Sequence, residues 1–149
     1  MEPIDVLRTI PALATLSTGD LETLLGAMQI DEHDDGYVFI REGKRGDTAF
    51  VIFLGEVVVS HERGGKAIEL NRMGPGALFG LVALVDDELR SATCRANGKV
   101  RAGMLQQSAF MLLFNAHAPI AFALQRALAE QLVHDFRNLD QKLREARGT

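Results

Sequence analysis

Between Tyr37 and Leu105 the chain is cut into short β-branched and aromatic runs, most of them bounded by glycines, and this punctuation constrains the fold more than any other feature. Glycine supplies the positive φ angles of tight turns, so the pattern predicts an antiparallel all-β unit. The predicted strands are Tyr37 to Arg41, Thr48 to Leu54, Glu56 to Glu62, Ala67 to Met73, Ser91 to Ala96 and Lys99 to Leu105. Gly64-Gly65 and Asn97-Gly98 fall between pairs of these runs, and both read as hairpin turns, Asn97-Gly98 the more strongly. Around it Ala92, Cys94 and Ala96 alternate with Ser91, Thr93 and Arg95, and Val100, Ala102 and Met104 continue the pattern, which predicts one buried face.

Helices are expected on both sides. Ile4, Leu7, Ile10, Leu13 and Leu16, then Leu21, Leu24, Leu25 and Met28, carry helical spacing. Ser17 or Thr18 can cap the second helix, with Asp20 and Glu22 at the positive end of its dipole. After Pro119 the chain runs to Arg147 without glycine or proline, and Leu124, Leu128, Leu132, Phe136, Leu139 and Leu143 form an apolar stripe. The distal half of that stripe needs a partner, the strands or a second chain, and the sequence allows both at once. The expected division is N-terminal helices over 1–35, a β-roll over 36–115 and a C-terminal lid and dimerisation helix over 118–147.

Length and charge narrow the function. A chain of 149 residues with 47% apolar and 24% charged residues suits one folded domain. Lys and Arg number 16 against 20 Asp and Glu, a net charge of −4 that gives no general attraction to nucleic acid, so direct DNA binding is not expected. Cys94 is the sole cysteine, so no intrachain disulfide or cysteine-built zinc site forms, and the N-terminus lacks a signal-peptide pattern. The longest glycine-plus-apolar run, Gly74 to Val85, is far short of the roughly 20 residues a membrane helix needs. These features lead to the expectation of a cytoplasmic protein without membrane contact.

The stretch from Pro75 to Thr93 carries the chemistry. Gly80 allows close backbone approach, and a helical turn from Leu81 to Val85 would aim N–H groups outward. Arg90 adds a guanidinium able to grip two phosphate oxygens, and Ser91 offers a hydroxyl and an N–H. The competing reading pairs Arg90 with Asp86, Asp87 or Glu88 in an empty pocket.

These residues resemble the phosphate-binding cassette of a cyclic nucleotide-binding domain, the sensor module of catabolite-activator-like proteins, kinase regulatory subunits and cyclic-nucleotide-gated channels. The resemblance also rests on Arg41 to Asp47 followed by Ala49 to Ile52, on Gly55 to Val59, and on Gly74 to Gly76, in that order. Gly43, Gly46, Gly55, Gly74 and Gly76 read as turn formers, a structural role only. The resemblance implies a mainly β fold with flanking helices, an antiparallel jelly-roll-like double-stranded β-helix with a long C-terminal helix. It implies a cassette over 79–93 in which the cyclic phosphate lies between Arg90 and N–H groups near Gly80, Val82, Ala83, Ser91 and Ala92. Leu81 departs from the pattern, because there the family places a glutamate that accepts from the ribose 2′-hydroxyl.

The remaining residues suggest no further chemistry. His33, His61, His117 and His134 match no metal-ligand spacing, and no nucleophile–base arrangement is readable, so neither an enzyme nor a required cofactor is expected. A haem sensor would need axial ligands, with Cys94 and one histidine as the candidates. His134 and Phe136 are lid candidates by chemistry, a hydrogen-bonding ring and a stacking ring, although Phe136 also reads as core.

The expected function is a regulatory sensor of a cyclic nucleotide, cyclic AMP or cyclic GMP, or of a related phosphate-bearing ligand. It would be homodimeric through the last helix and answer to an unknown protein effector. Because the chain ends at Thr149, it reads either as a sensor fragment or as a protein acting alone. The alternative is a degenerate domain, free of nucleotide, serving as a dimerisation or interaction scaffold.

Overall fold

Pro3 opens α1 (Pro3–Arg8), and a 3-10 turn at Pro11–Leu13 leads to α2 (Thr18–Ala27). Ser17 caps α2 reciprocally: its hydroxyl accepts from the Asp20 N–H at 3.1 Å, and the Asp20 carboxylate accepts from the Ser17 N–H at 3.3 Å. The computed structural model describes residues 1–86 and 89–147. The architecture is mainly antiparallel β with flanking helices and a long C-terminal helix, as expected.

Two long strands form the spine. β3 (Thr48–Arg63) and β6 (Thr93–Gln106) pair antiparallel from Thr48 opposite Gln106 to Ser60 opposite Thr93. β1 (Gln29–His33) and β2 (Val38–Ile40) add to β6, whereas β4 (Lys66–Met73) and β5 (Leu78–Phe79) add to β3. The apolar run in β3 is buried on both faces, and period-two alternation sorts it. Ala49, Val51 and Phe53 face the helices with Leu7, Leu13, Leu21 and Leu24. Phe50 and Ile52 join Ile40, Phe79, Cys94, Val100 and Ala102 inside the roll.

Gly64-Gly65 turns β3 into β4 as the sequence predicts, with φ of 60° and 77° and Arg63 opposite Lys66. Asn97-Gly98 does not form a hairpin. The runs on either side of it both pair with β3, so they belong to one strand, and Gly98, at φ 80°, bends it. Gly55 makes the matching bend in β3, where φ is 96° and an added Cβ would lie 2.3 Å from the Lys99 carbonyl oxygen. A positive-φ dipeptide marks a bend or a turn equally well, and only the long-range pairing distinguishes them. β1 escaped the sequence reading because Gln29, Asp31, Glu32 and His33 leave Ile30 as its single strong apolar residue.

α3 (Gln107–Asn115) and α4 (Pro119–Arg147) follow, joined at His117, whose φ is 55°. Ile120, Ala121, Leu124 and Leu128 of α4 are buried against the first core, each large side chain contributing roughly 1.5–3 kcal/mol. Leu132, Phe136, Leu139 and Leu143 are exposed, so the strands do not cover the distal part of the stripe. Among the described residues, no helix is long and apolar enough to cross a membrane.

Candidate functional site

The site is built around Arg90, which stands just before β6 and meets the 41–47 loop along its whole length. Its N–H donates to the Lys44 carbonyl at 2.8 Å, and its own carbonyl accepts from the Gly43 N–H at 2.9 Å. The side chain continues the contact. Nη2 donates to the Thr48 carbonyl at 2.7 Å, and Nη1 to the Gly80 carbonyl at 3.3 Å. Neighbouring Glu42 ties the same loop to the rest of the roll: its N–H donates to the Thr93 hydroxyl at 3.0 Å, and its carboxylate accepts from the Glu62 N–H at 2.8 Å and from Arg63 at 2.7 Å. Those contacts, the Glu62 N–H foremost, hold its pKa below the ordinary carboxylate value.

Arg90 is half-buried, and burial lowers its pKa from the usual guanidinium value, opposed by Cys94 and Asp47. Two of its five N–H donors are taken by carbonyls, which orient the group without neutralising it. Among the described residues, no carboxylate lies within ion-pair distance of it. Of the acids considered as internal partners, Asp87 and Glu88 lie outside the described residues. Cys94 is buried nearby, and desolvation, opposed by Arg90, pushes its thiol up to about 11.

A cavity of about 370 Å³ opens beside this guanidinium, between the roll and α4. Its wall brings together Gly80, Leu81, Val82, Ala83, Arg90, Ser91 and Ala92, the residues singled out in the sequence. Gly80 has φ 73° and starts a 3-10 turn, Leu81–Leu84. The Ala83 N–H donates to the Gly80 carbonyl at 3.1 Å and so is spent within the turn. The N–H groups of Val82, Ser91 and Ala92 have no hydrogen-bond partner among the described residues. Leu81 is 4% exposed and packs in the helix-side core while also closing the cavity wall, so the position implied for a glutamate is apolar and buried.

The sequence reading missed the opposite wall. Val59, Asn71 and Met73 approach from β3 and β4, and Leu128, Gln131, Leu132 and Asp135 from α4. The α4 residues follow helical spacing, so the cavity-facing side of the helix was recoverable once one of its members was known. His134 and Phe136 are on other faces of α4: His134 lies 3.2 Å from Asn138, and Phe136 is 69% exposed, neither on the cavity nor in the core. Choosing lid residues by side-chain chemistry ignored the 100° rotation per residue that sets which side chains face the roll.

Residues 31–117 match the family described as "Cyclic nucleotide-binding domain", and the chain belongs to that family. It is 31% identical over 121 residues to a cAMP-dependent protein kinase regulatory subunit of Blastocladiella emersonii, an alignment covering 80% of this chain and 29% of that protein. The chain spans less than a third of the length of the first curated relatives it matches. Among solved structures it resembles the N-terminal domain of a transcriptional regulator from Streptomyces coelicolor A3(2), at TM-score 0.77 and 29% identity, covering 91% of this chain and 95% of that one. It also resembles the regulatory domain of Toxoplasma gondii PKA crystallised with cAMP, at TM-score 0.67 and 26% identity, over 93% of this chain and 51% of that one.

Proposed function

We propose that the protein is a regulatory sensing domain whose cavity binds a cyclic nucleotide or a related phosphate-bearing ligand, with Arg90 and the N–H groups of Val82, Ser91 and Ala92 as the anion site. The observation that carries this reading is the state of Arg90: oriented by two carbonyls, without a carboxylate partner among the described residues, on the wall of an open cavity. Burying a cation even in part with no carboxylate at ion-pair distance among the described residues is costly, and a phosphate supplies both the charge and the acceptors. The cAMP carried by the Toxoplasma domain supports the same ligand class.

The nucleotide-free scaffold is the less favoured reading, because it would go with a collapsed pocket or an arginine locked on an acid. Leu81 lowers the affinity instead. A charge-assisted hydrogen bond is worth roughly 1.5–3 kcal/mol and an unpaired buried hydroxyl costs roughly 1–3 kcal/mol, so each loss is about one to two decades in binding. Binding is non-catalytic. The signal leaves through α4, which lines the cavity with Leu128, Gln131, Leu132 and Asp135 and then projects its exposed stripe toward a second copy of the chain. A cytoplasmic setting and an unidentified protein effector complete the proposal, with residues 1–35, 36–115 and 118–147 as its parts.

Titration calorimetry with cyclic AMP, cyclic GMP and cyclic dinucleotides tests it. Saturable heat, lost in Arg90→Ala, is expected; no heat from any of them at millimolar concentration overturns the reading.

A further inference from the structure

We propose that Gly46 is a positioning residue of the anion site: its missing side chain is the seat on which the Arg90 guanidinium rests. Gly43 has φ 79° and nothing within 4 Å of an added Cβ, so the turn alone explains it. Gly46 is the reverse case. Its φ is not in the left-handed region, so the backbone makes no demand for glycine. A Cβ there would lie 2.9 Å from both Nε and Nη2 of Arg90 and 3.3 Å from its Cζ. Three atoms of one guanidinium crowd a single absent methyl, so the planar group lies against the Gly46 backbone. Read as a turn former from sequence, Gly46 instead makes room for a side chain forty-four positions further along the chain.

The loop meets Arg90 in steps. Gly43 and Lys44 hold its main chain, Gly46 supports its guanidinium, and the Thr48 carbonyl receives Nη2 at the tip. Gly80 also approaches Nη1, where an added Cβ would lie 3.1 Å away, but its φ of 73° requires glycine anyway. Gly46 is therefore where the seat can be tested apart from the turn. The atoms a Cβ would strike belong to the end of a flexible side chain, so the arginine moves and the backbone stays. The fold survives a methyl at Gly46, and the guanidinium leaves the Thr48 and Gly80 carbonyls. The consequence for binding rests on the anion-site reading of the cavity.

The test compares Gly46→Ala with Gly74→Ala, a control whose φ is ordinary and whose added Cβ meets nothing within 4 Å. In isotopically labelled, ligand-free protein, the Arg90 Nε–H resonance, assigned by its loss in Arg90→Ala, should keep one shifted position in the wild type and in Gly74→Ala, set by the Gly46 backbone against which the group lies. In Gly46→Ala it should move to the position of a solvent-exposed arginine, while the backbone spectrum outside the loop and the cassette stays that of the wild type. An unmoved Nε–H resonance in folded Gly46→Ala overturns the proposal, as does general unfolding of that variant with Gly74→Ala intact. Titration with cyclic AMP adds a second measurement: Gly46→Ala should weaken binding at least tenfold, and Gly74→Ala less than twofold. If the wild type takes up no cyclic nucleotide, the anion-site reading fails, and the Nε–H comparison still decides the seat.

Discussion

Thr48 and Arg90 stand 42 residues apart in the chain and meet at 2.7 Å, carbonyl oxygen to Nη2. That bond joins the start of β3 to the segment entering β6, which are neighbouring strands of the sheet spine. It also orients a cation whose charge stays unpaired among the described residues. A carbonyl acceptor directs a guanidinium without cancelling it, whereas a carboxylate would do both. That is the state the proposed anion site requires of Arg90.

Arg90→Lys should retain the charge and lose the fork. An ammonium cannot reach the Thr48 and Gly80 carbonyls and still present two parallel donors to a phosphate. Binding of cyclic AMP measured by calorimetry should weaken by about one to two decades, the worth of one charge-assisted bond. Wild-type affinity in the lysine variant would show that only net charge matters.

Leu81→Glu should trade stability for affinity. Leu81 is buried in the helix-side core, so its replacement should cost on the order of 2 kcal/mol or more and lower the melting temperature. The new carboxylate should raise affinity for cyclic AMP by about one to two decades, with the gain absent for its 2′-deoxy analogue. A gain equal for both ligands would mean that the carboxylate does not meet the ribose hydroxyl.

The exposed apolar stripe of α4 should hold two copies of the chain together. Leu132, Phe136, Leu139 and Leu143 step by four, three and four, the seam spacing of a coiled coil. Sedimentation of the wild type should give a dimer, and Phe136→Glu or Leu139→Glu should give a monomer with the same melting profile for the β-roll. A monomeric wild type at high micromolar concentration would remove this interface.

Cys94 should make the fold sensitive to alkali. Its thiol rises from 9.0 to about 11 because burial opposes the thiolate. The folded state therefore favours the protonated form, and this contribution is whole below pH 9 and is lost as pH climbs through about 11. Urea unfolding across that window should show stability falling by up to about 1.4 kcal/mol per pH unit, with a shallower fall in Cys94→Ala. Equal slopes in the two proteins would assign the loss to other groups.

What the chain determines by itself is local. Ser17 and Asp20 cap α2, the diglycine at 64 and 65 turns a hairpin, and the glycine-free run after Pro119 is a helix, because each depends on neighbours within a few positions. The cavity-wall residues Gly80 to Ala83 and Arg90 to Ala92 were legible in the same way, since they are close in sequence. Tertiary structure decided the rest. Asn97-Gly98 is a bend and not a turn because β3 accepts the runs on both sides, and Gln131 and Asp135 look into the cavity because Leu124 and Leu128 fix the rotation of α4. Gly46 looks like any other loop glycine until the Arg90 side chain is laid upon it. These features come from contacts between residues tens of positions apart, and no local period or turn preference encodes which distant group will arrive.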